Sequence, residues 1–122
     1  MAHKAFAVIA GVGPGTGAAI SRRFASAYPV ALLGRSPSKF DWLVQEINDG
    51  GGKAIAVKTD VSNETSVKEA FGKIHDEFQD ATCAAAIFNA SGPLGNAPLL
   101  ELGVSEFSAV WEVTWYDKIR LL

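Results

Sequence analysis

The chain has 122 residues, enough for one domain and too few for two. A hydrophobic share of 48% and a charged share of 20% describe a globular protein, and a formal charge of −2 supplies no basic field to attract nucleic acid. The one cysteine, Cys83, has no partner for an internal disulfide, and no His/Cys cluster has metal-site spacing, so a metal-free protein in a reducing, cytoplasmic setting is expected.

Residues 6–10 form the first apolar run. It is too short for a signal peptide and opens into glycines rather than a cleavage-like site, so it reads as a buried strand. No later run approaches the roughly 20 residues that cross a bilayer, and no membrane partner is expected. A helix follows over residues 17–28, with Ile20, Phe24 and Ala27 on one face and Pro29 closing it. Residues 30–33 are the second strand. Ser36-Pro37 predicts a helix start, a hydroxyl cap with proline at the first helical position. Phe40, Leu43, Val44 and Ile47 keep helical spacing until Gly50-Gly51-Gly52 ends the helix.

Residues 54–57 are the third strand, and Ser62 is the expected cap of a third helix buried through Val67, Ala70, Phe71, Ile74 and Phe78. Residues 84–88 are the fourth strand, with Cys83 read as a small hydrophobe at its start. A loop rich in glycine and proline spans residues 91–98. The last helix, capped by Ser105, carries Phe107, Val110 and Trp111. Trp42 and Trp111 are expected to cover sheet faces, whereas His75, Arg22 and Arg23 read as solvated.

Alternating strands and helices predict an α/β fold, a Rossmann-type doubly wound parallel sheet. Parallel crossovers are right-handed, which leads to the strand order 3-2-1-4. The first two helices then lie on one face and the third on the other, and a crevice opens at the carboxyl ends of strands one and four.

The first strand empties into Gly11-Val12-Gly13-Pro14-Gly15-Thr16-Gly17. Glycine lets the backbone turn sharply and lets a diphosphate approach, while the helix behind points unpaired N–H groups at the anion. Two readings stay open: a tight turn without a ligand, and a dinucleotide site, which the strand–loop–helix context favours. A P-loop is excluded, because Gly17 is followed by Ala18-Ala19 rather than Lys-Ser/Thr. A methyl-donor site also uses such a loop but wants an acid after strand two. The residues there are Gly34-Arg35-Ser36. An arginine suits a 2′-phosphate, with Ser36 and Lys39 adding a hydroxyl and a second charge, so NADP is expected ahead of NAD. The plainer alternative is that Arg35 is a solvated loop arginine.

Three motifs together resemble the short-chain dehydrogenases/reductases: Ala10-Gly11-x-x-x-Gly15-x-Gly17, Asp60-Val61 after strand three, and Asn89-Ala90 after strand four. The likeness runs from the start to about Val113. It implies an NAD(P)-dependent oxidoreductase acting on alcohols or carbonyls. It also implies that Asp60 meets the adenine amino group, that Val61 packs on the adenine, and that Asn89 and Ala90 line the nicotinamide-ribose side. The plainer reading of Asp60 is a turn acid near the third helix.

The sequence departs from the family at Ser91, where glycine is usual, and at Thr114, where the resemblance implies an asparagine of the catalytic relay. The family's strand-five serine and Tyr-x-x-x-Lys would lie beyond this chain. Tyr116-x-x-x-Arg120 comes too soon after strand four to replace them. The expectation is therefore a truncated chain: an NAD(P)-binding Rossmann half-domain over residues 1–113, a divergent tail over 114–122, and no catalytic residues. A carbonyl or alcohol substrate is expected only in a full-length form, the alternative being a non-catalytic NADP(H)-binding module or partner of a full-length reductase. The unpaired far edge of strand four is the expected route to self-association.

Overall fold

Apolar runs without polar alternation mark strands buried on both faces. β1 (Ala5–Ala10) and β2 (Val30–Gly34) are such strands: every residue from Phe6 to Ala10 and from Val30 to Leu33 is buried. The computed structural model describes residues 4–91 and 98–111. In it β1 and β2 form the centre of a four-stranded parallel sheet ordered β3-β2-β1-β4, the expected order, with β3 (Ala54–Lys58) and β4 (Thr82–Phe88) at the edges.

The two-residue period of the strands divides the core into two layers. Ala7, Ile9, Val30, Leu32 and Ala54 face α1 (Thr16–Ala25) and α2 (Asp41–Asp49). Phe6, Val8, Ala31, Leu33 and Val57 face α3 (Glu64–Glu77) through Ala70 and Ile74. Each large aliphatic side chain wholly removed from water here, such as Ile9 or Leu32, contributes roughly 1.5–3 kcal/mol. A 3-10 turn, Leu99–Glu101, then leads to α4 (Val104–Trp111). Among the described residues no helix is long and apolar enough to cross a membrane.

Several local expectations change. α1 stops at Ala25, and the Ala27 and Tyr28 amides both return to the Phe24 carbonyl, because the residue before Pro29 is disfavoured in helix. Pro37 opens a 3-10 turn (Pro37–Lys39) instead of α2, and the Ser36 hydroxyl makes no cap bond. The chain breaks at Phe40 (φ −133°), whose ring turns inward under β2, so α2 begins at Asp41. The helix-ending glycine with left-handed geometry is Gly51, at φ +91°.

α3 is capped by Asn63, not Ser62. Asn63 Oδ1 accepts from the Ser66 amide at 3.0 Å, while the Ser62 hydroxyl is committed to Asp60. At α4 it is Glu106, not Ser105, that serves the helix start, accepting the Gly103 amide at 2.6 Å. Trp42 (42% exposed) and Trp111 (53%) do not cover sheet faces, and Phe107 also points outward at 61%. His75 is exposed, as expected.

Among the described residues β4 pairs with β1 alone. Thr82, Cys83, Ala84 and Ala86 are exposed, so Cys83 is not a core residue. Burial by the sheet is partial at this edge, and the register with β1 skips Ala84 between Cys83 and Ala85, the signature of a bulge.

Candidate functional site

Four strand ends converge at the carboxyl edge of the sheet, each handing the chain to a different loop. β1 turns at once: Gly11 has φ +91°, and a Cβ there would stand 2.5 Å from the Ala90 Cα and 2.6 Å from the Asn89 carbonyl carbon. Only glycine fits this crossing. Asn89 fastens it, its backbone N–H donating to the Ala10 carbonyl at 2.7 Å and its Nδ2 to the Gly11 carbonyl at 3.1 Å. Gly17 is constrained in the same way, since a Cβ would come within 2.5 Å of the Gly11 carbonyl oxygen.

Gly13 and Gly15 differ. Neither has a left-handed φ, and none of the described residues, chain neighbours aside, lies within 4 Å of a Cβ at either. Side-chain crowding by the described residues does not require glycine there, although the Gly15 backbone (φ −95°, ψ −118°) itself lies outside the helix and strand regions. α1 starts behind them with Gly15 at its cap position and no side-chain cap bond. The Ala18 and Ala19 amides reach the Gly13 and Gly15 carbonyls, whereas Thr16 and Gly17 have no helix carbonyl a turn earlier to receive theirs.

β2 delivers Gly34, Arg35 and Ser36. A Cβ on Gly34 would stand 2.6 Å from the buried Phe40 ring, so the strand end sits directly on that ring. Arg35 is exposed and, among the described residues, makes no ion pair within 4 Å. β3 delivers Thr59, Asp60 and Val61. The buried Thr59 ties the two exits together, donating its amide to the Gly34 carbonyl at 2.8 Å and its hydroxyl to the Val57 carbonyl at 3.0 Å.

Asp60 closes an Asx-type turn, its Oδ1 accepting the Ser62 hydroxyl at 2.5 Å and the Ser62 amide at 3.0 Å. The Ser62 hydroxyl does most to hold this carboxyl below its ordinary range. Partial burial opposes it, and the Ser62 amide and the Arg35 charge add smaller pushes downward. Asp60 thus sits in a turn ahead of α3 without capping it. Oδ2 accepts no bond among the described residues, which leaves it available to an amino group.

These exits surround one cleft of about 910 Å³, within the range of roughly 300–1,000 Å³ usual for small-molecule sites. Gly11, Gly13, Arg35, Ser36, Asp60, Val61, Asn89 and Ala90 all line it, as does Ser91. Three expected residues do not: Gly15 and Thr16 are exposed beyond the lining, and Gly17 is packed beneath the loop. Thr114, Tyr116 and Arg120 lie outside the described residues, as does most of the glycine/proline loop.

Not foreseen from the sequence are Thr59 and the wall made by Leu102, just before α4, with Glu106, Ala109 and Val110 on it. Thr59 carries no motif, although its place immediately before Asp60 is a signal. Nothing in the spacing of α4 shows which of its faces meets the cleft.

A family model described as short chain dehydrogenase matches residues 5–116. The chain belongs to this oxidoreductase family. Short-chain dehydrogenases use a nicotinamide dinucleotide, NAD or NADP. Over 107 residues the chain is 31% identical to a cis-4-hydroxycyclohexanecarboxylate dehydrogenase of Sinomonas cyclohexanicum, covering 88% of this chain and 42% of the relative. A metagenomic short-chain oxidoreductase solved in complex with NADP superposes with a TM-score of 0.85 at 26% identity, covering 98% of this chain and 53% of the other. A D-mannonate oxidoreductase of Haemophilus influenza, solved with bound NAD, gives a TM-score of 0.84 at 23% identity over 98% of this chain and 48% of the other, a likeness of fold. The chain spans about half the length of each of these three proteins.

Proposed function

We propose that this chain forms the cofactor-binding part of an NADP-dependent short-chain oxidoreductase acting on alcohols or carbonyls, with residues 1–113 as the binding unit and 114–122 as a tail. The observation that carries the proposal is Arg35. It follows β2 at the cleft between Gly34 and Ser36, where no acid stands in sequence, makes no ion pair within 4 Å among the described residues, and has Ser36 and Lys39 as neighbours on the lining. A 2′-hydroxyl calls for a carboxylate at this place, and a 2′-phosphate calls for a guanidinium.

The residues present fit such a nucleotide. The backbone at Gly13 and Gly15 is open where a Cβ would otherwise intrude, and the first-turn amides behind it suit a diphosphate. Arg35, Ser36 and Lys39 would hold the 2′-phosphate. Asp60 Oδ2 would accept from the adenine amino group and Val61 would cover the ring, while Asn89 and Ala90 would border the nicotinamide ribose. NADP, when bound, supplies the hydride carrier. Asn89 also holds the floor of the cleft in shape through its bond to the Gly11 carbonyl.

A second reading, binding of NADP(H) without turnover, rests on the same cleft, whose described lining supplies groups for the dinucleotide. We further propose that the exposed stretch of β4 from Thr82 to Ala86, on the side away from β1, mediates self-association, and that the exposed thiol of Cys83 belongs in a reducing, cytoplasmic setting.

Titration with NADPH and NADH tests the phosphate assignment. Arg35→Asp should shift the preference from NADPH toward NADH by about tenfold or more, the scale of one charge-assisted contact. An unchanged ratio would remove the assignment. Turnover of a carbonyl panel by the same NADPH-binding chain would discard the second reading.

A further inference from the structure

Among the described residues the cations of the cleft are Arg35 and Lys39, and they sit on the connection from β2 to α2. The 3-10 turn within it is closed by Lys39 N–H to the Ser36 carbonyl and Phe40 N–H to the Pro37 carbonyl, each at 3.0 Å. Phe40 anchors the turn from inside, its ring buried against Gly34. A second anchor comes from outside the cleft. The Trp42 indole donates its Nε1–H to the Lys39 carbonyl at 3.0 Å.

Trp42 is itself held. The Arg22 guanidinium lies 5.7 Å from its ring centroid, within cation–π range. Arg22 in turn is gripped by both Glu46 carboxylate oxygens, through Nε at 2.7 Å and through a terminal nitrogen at 3.2 Å. Glu46, Arg22 and Trp42 are all absent from the cleft lining, yet their contacts end on the backbone of a residue that lines it.

We propose that Trp42, steadied by Arg22 and Glu46, is a positioning residue for phosphate discrimination: it fixes the Lys39 backbone and so holds the root of the Lys39 side chain at the cleft that Arg35 also lines. The inference rests on the assignment of Arg35 and Lys39 to a 2′-phosphate. A lysine has a long, mobile side chain, and ordering it on a ligand costs less when its backbone is already fixed. A nucleotide without the phosphate makes no use of Lys39 and should be indifferent to Trp42.

Trp42→Phe keeps a ring beneath Arg22 and removes the N–H. Calorimetric titration of the wild type, W42F, K39A and the double variant with NADPH and NADH gives the needed ratios. W42F should weaken NADPH relative to NADH by three- to tenfold, on the order of one neutral hydrogen bond, and should add nothing in the K39A background. Arg22→Gln, which leaves Trp42 in place, should shift the ratio the same way by less, and serves if W42F does not fold. Equal weakening of both nucleotides, or a W42F effect that persists without Lys39, would overturn the proposal. A wild type that does not distinguish the nucleotides removes the phosphate reading itself. A discriminating wild type with an unshifted W42F ratio removes only the role of Trp42.

Discussion

Gly11 and Gly13 stand two places apart in one loop and answer to different demands. Gly11 needs both a left-handed φ and the absence of a Cβ, because the end of β4 crosses it. Gly11→Ala should therefore destabilise the fold by about 2 kcal/mol or more in urea denaturation. Gly13→Ala meets no neighbouring atom and should change stability by less than about 0.5 kcal/mol while weakening dinucleotide binding. Equal losses of stability would refute the division. The sequence showed the glycine spacing but not this difference, because the atoms that exclude a side chain at Gly11 belong to Asn89 and Ala90, remote along the chain. Asp60 makes a similar case: the tripeptide Asp60-Val61-Ser62 was legible, and which group shares its carboxylate was not.

β1, β2 and the stripes of α2 and α3 followed from periodicity, since burial along a single element sets them. On α1 the buried residues are Gly17, Ala18 and Ser21, while Ile20 and Phe24 are half-buried and Ala27 is exposed. Element ends depended on competition between neighbours. Ser62 and Asn63 are both good caps, and the choice fell to Asn63 because Asp60 captures the Ser62 hydroxyl. Asn63→Ala should cost about 1 kcal/mol of stability, as loss of a cap does. Ser62→Ala should leave the cap intact and instead let the Asp60 carboxyl rise toward its ordinary range, seen by carboxyl NMR titration. The sign follows from the direction of the shift: a carboxyl lowered in the folded state contributes stability above its unfolded pKa, lost as pH falls through the folded value. Ser62→Ala should reduce that contribution, and an unmoved titration would deny the Ser62 bonds their part. The break at Phe40 had the same origin, with a buried ring beneath Gly34 overriding a good helix-start signal at Ser36-Pro37.

Across the whole molecule the sheet is asymmetric, with β1 and β2 buried on both faces and β4 exposed along much of its length. The β4 segment from Thr82 to Phe88 carries no charge and no proline, the devices that blunt a strand edge, and only the bulge at Ala84 interrupts it. Sedimentation velocity should show association that grows with concentration, and Ala86→Lys should weaken it. A monomer at every concentration would count against edge pairing. The parallel order β3-β2-β1-β4 and its crevice could be read from the chain because handed crossovers leave few topologies for alternating apolar runs and helices. The α4 wall, the outward Phe107 and Trp111, the exposed Cys83 and the tie from Trp42 to Lys39 arose only on folding. Periodicity records what one element buries. Which elements meet, and which are left uncovered, is decided by contacts between residues far apart in the chain.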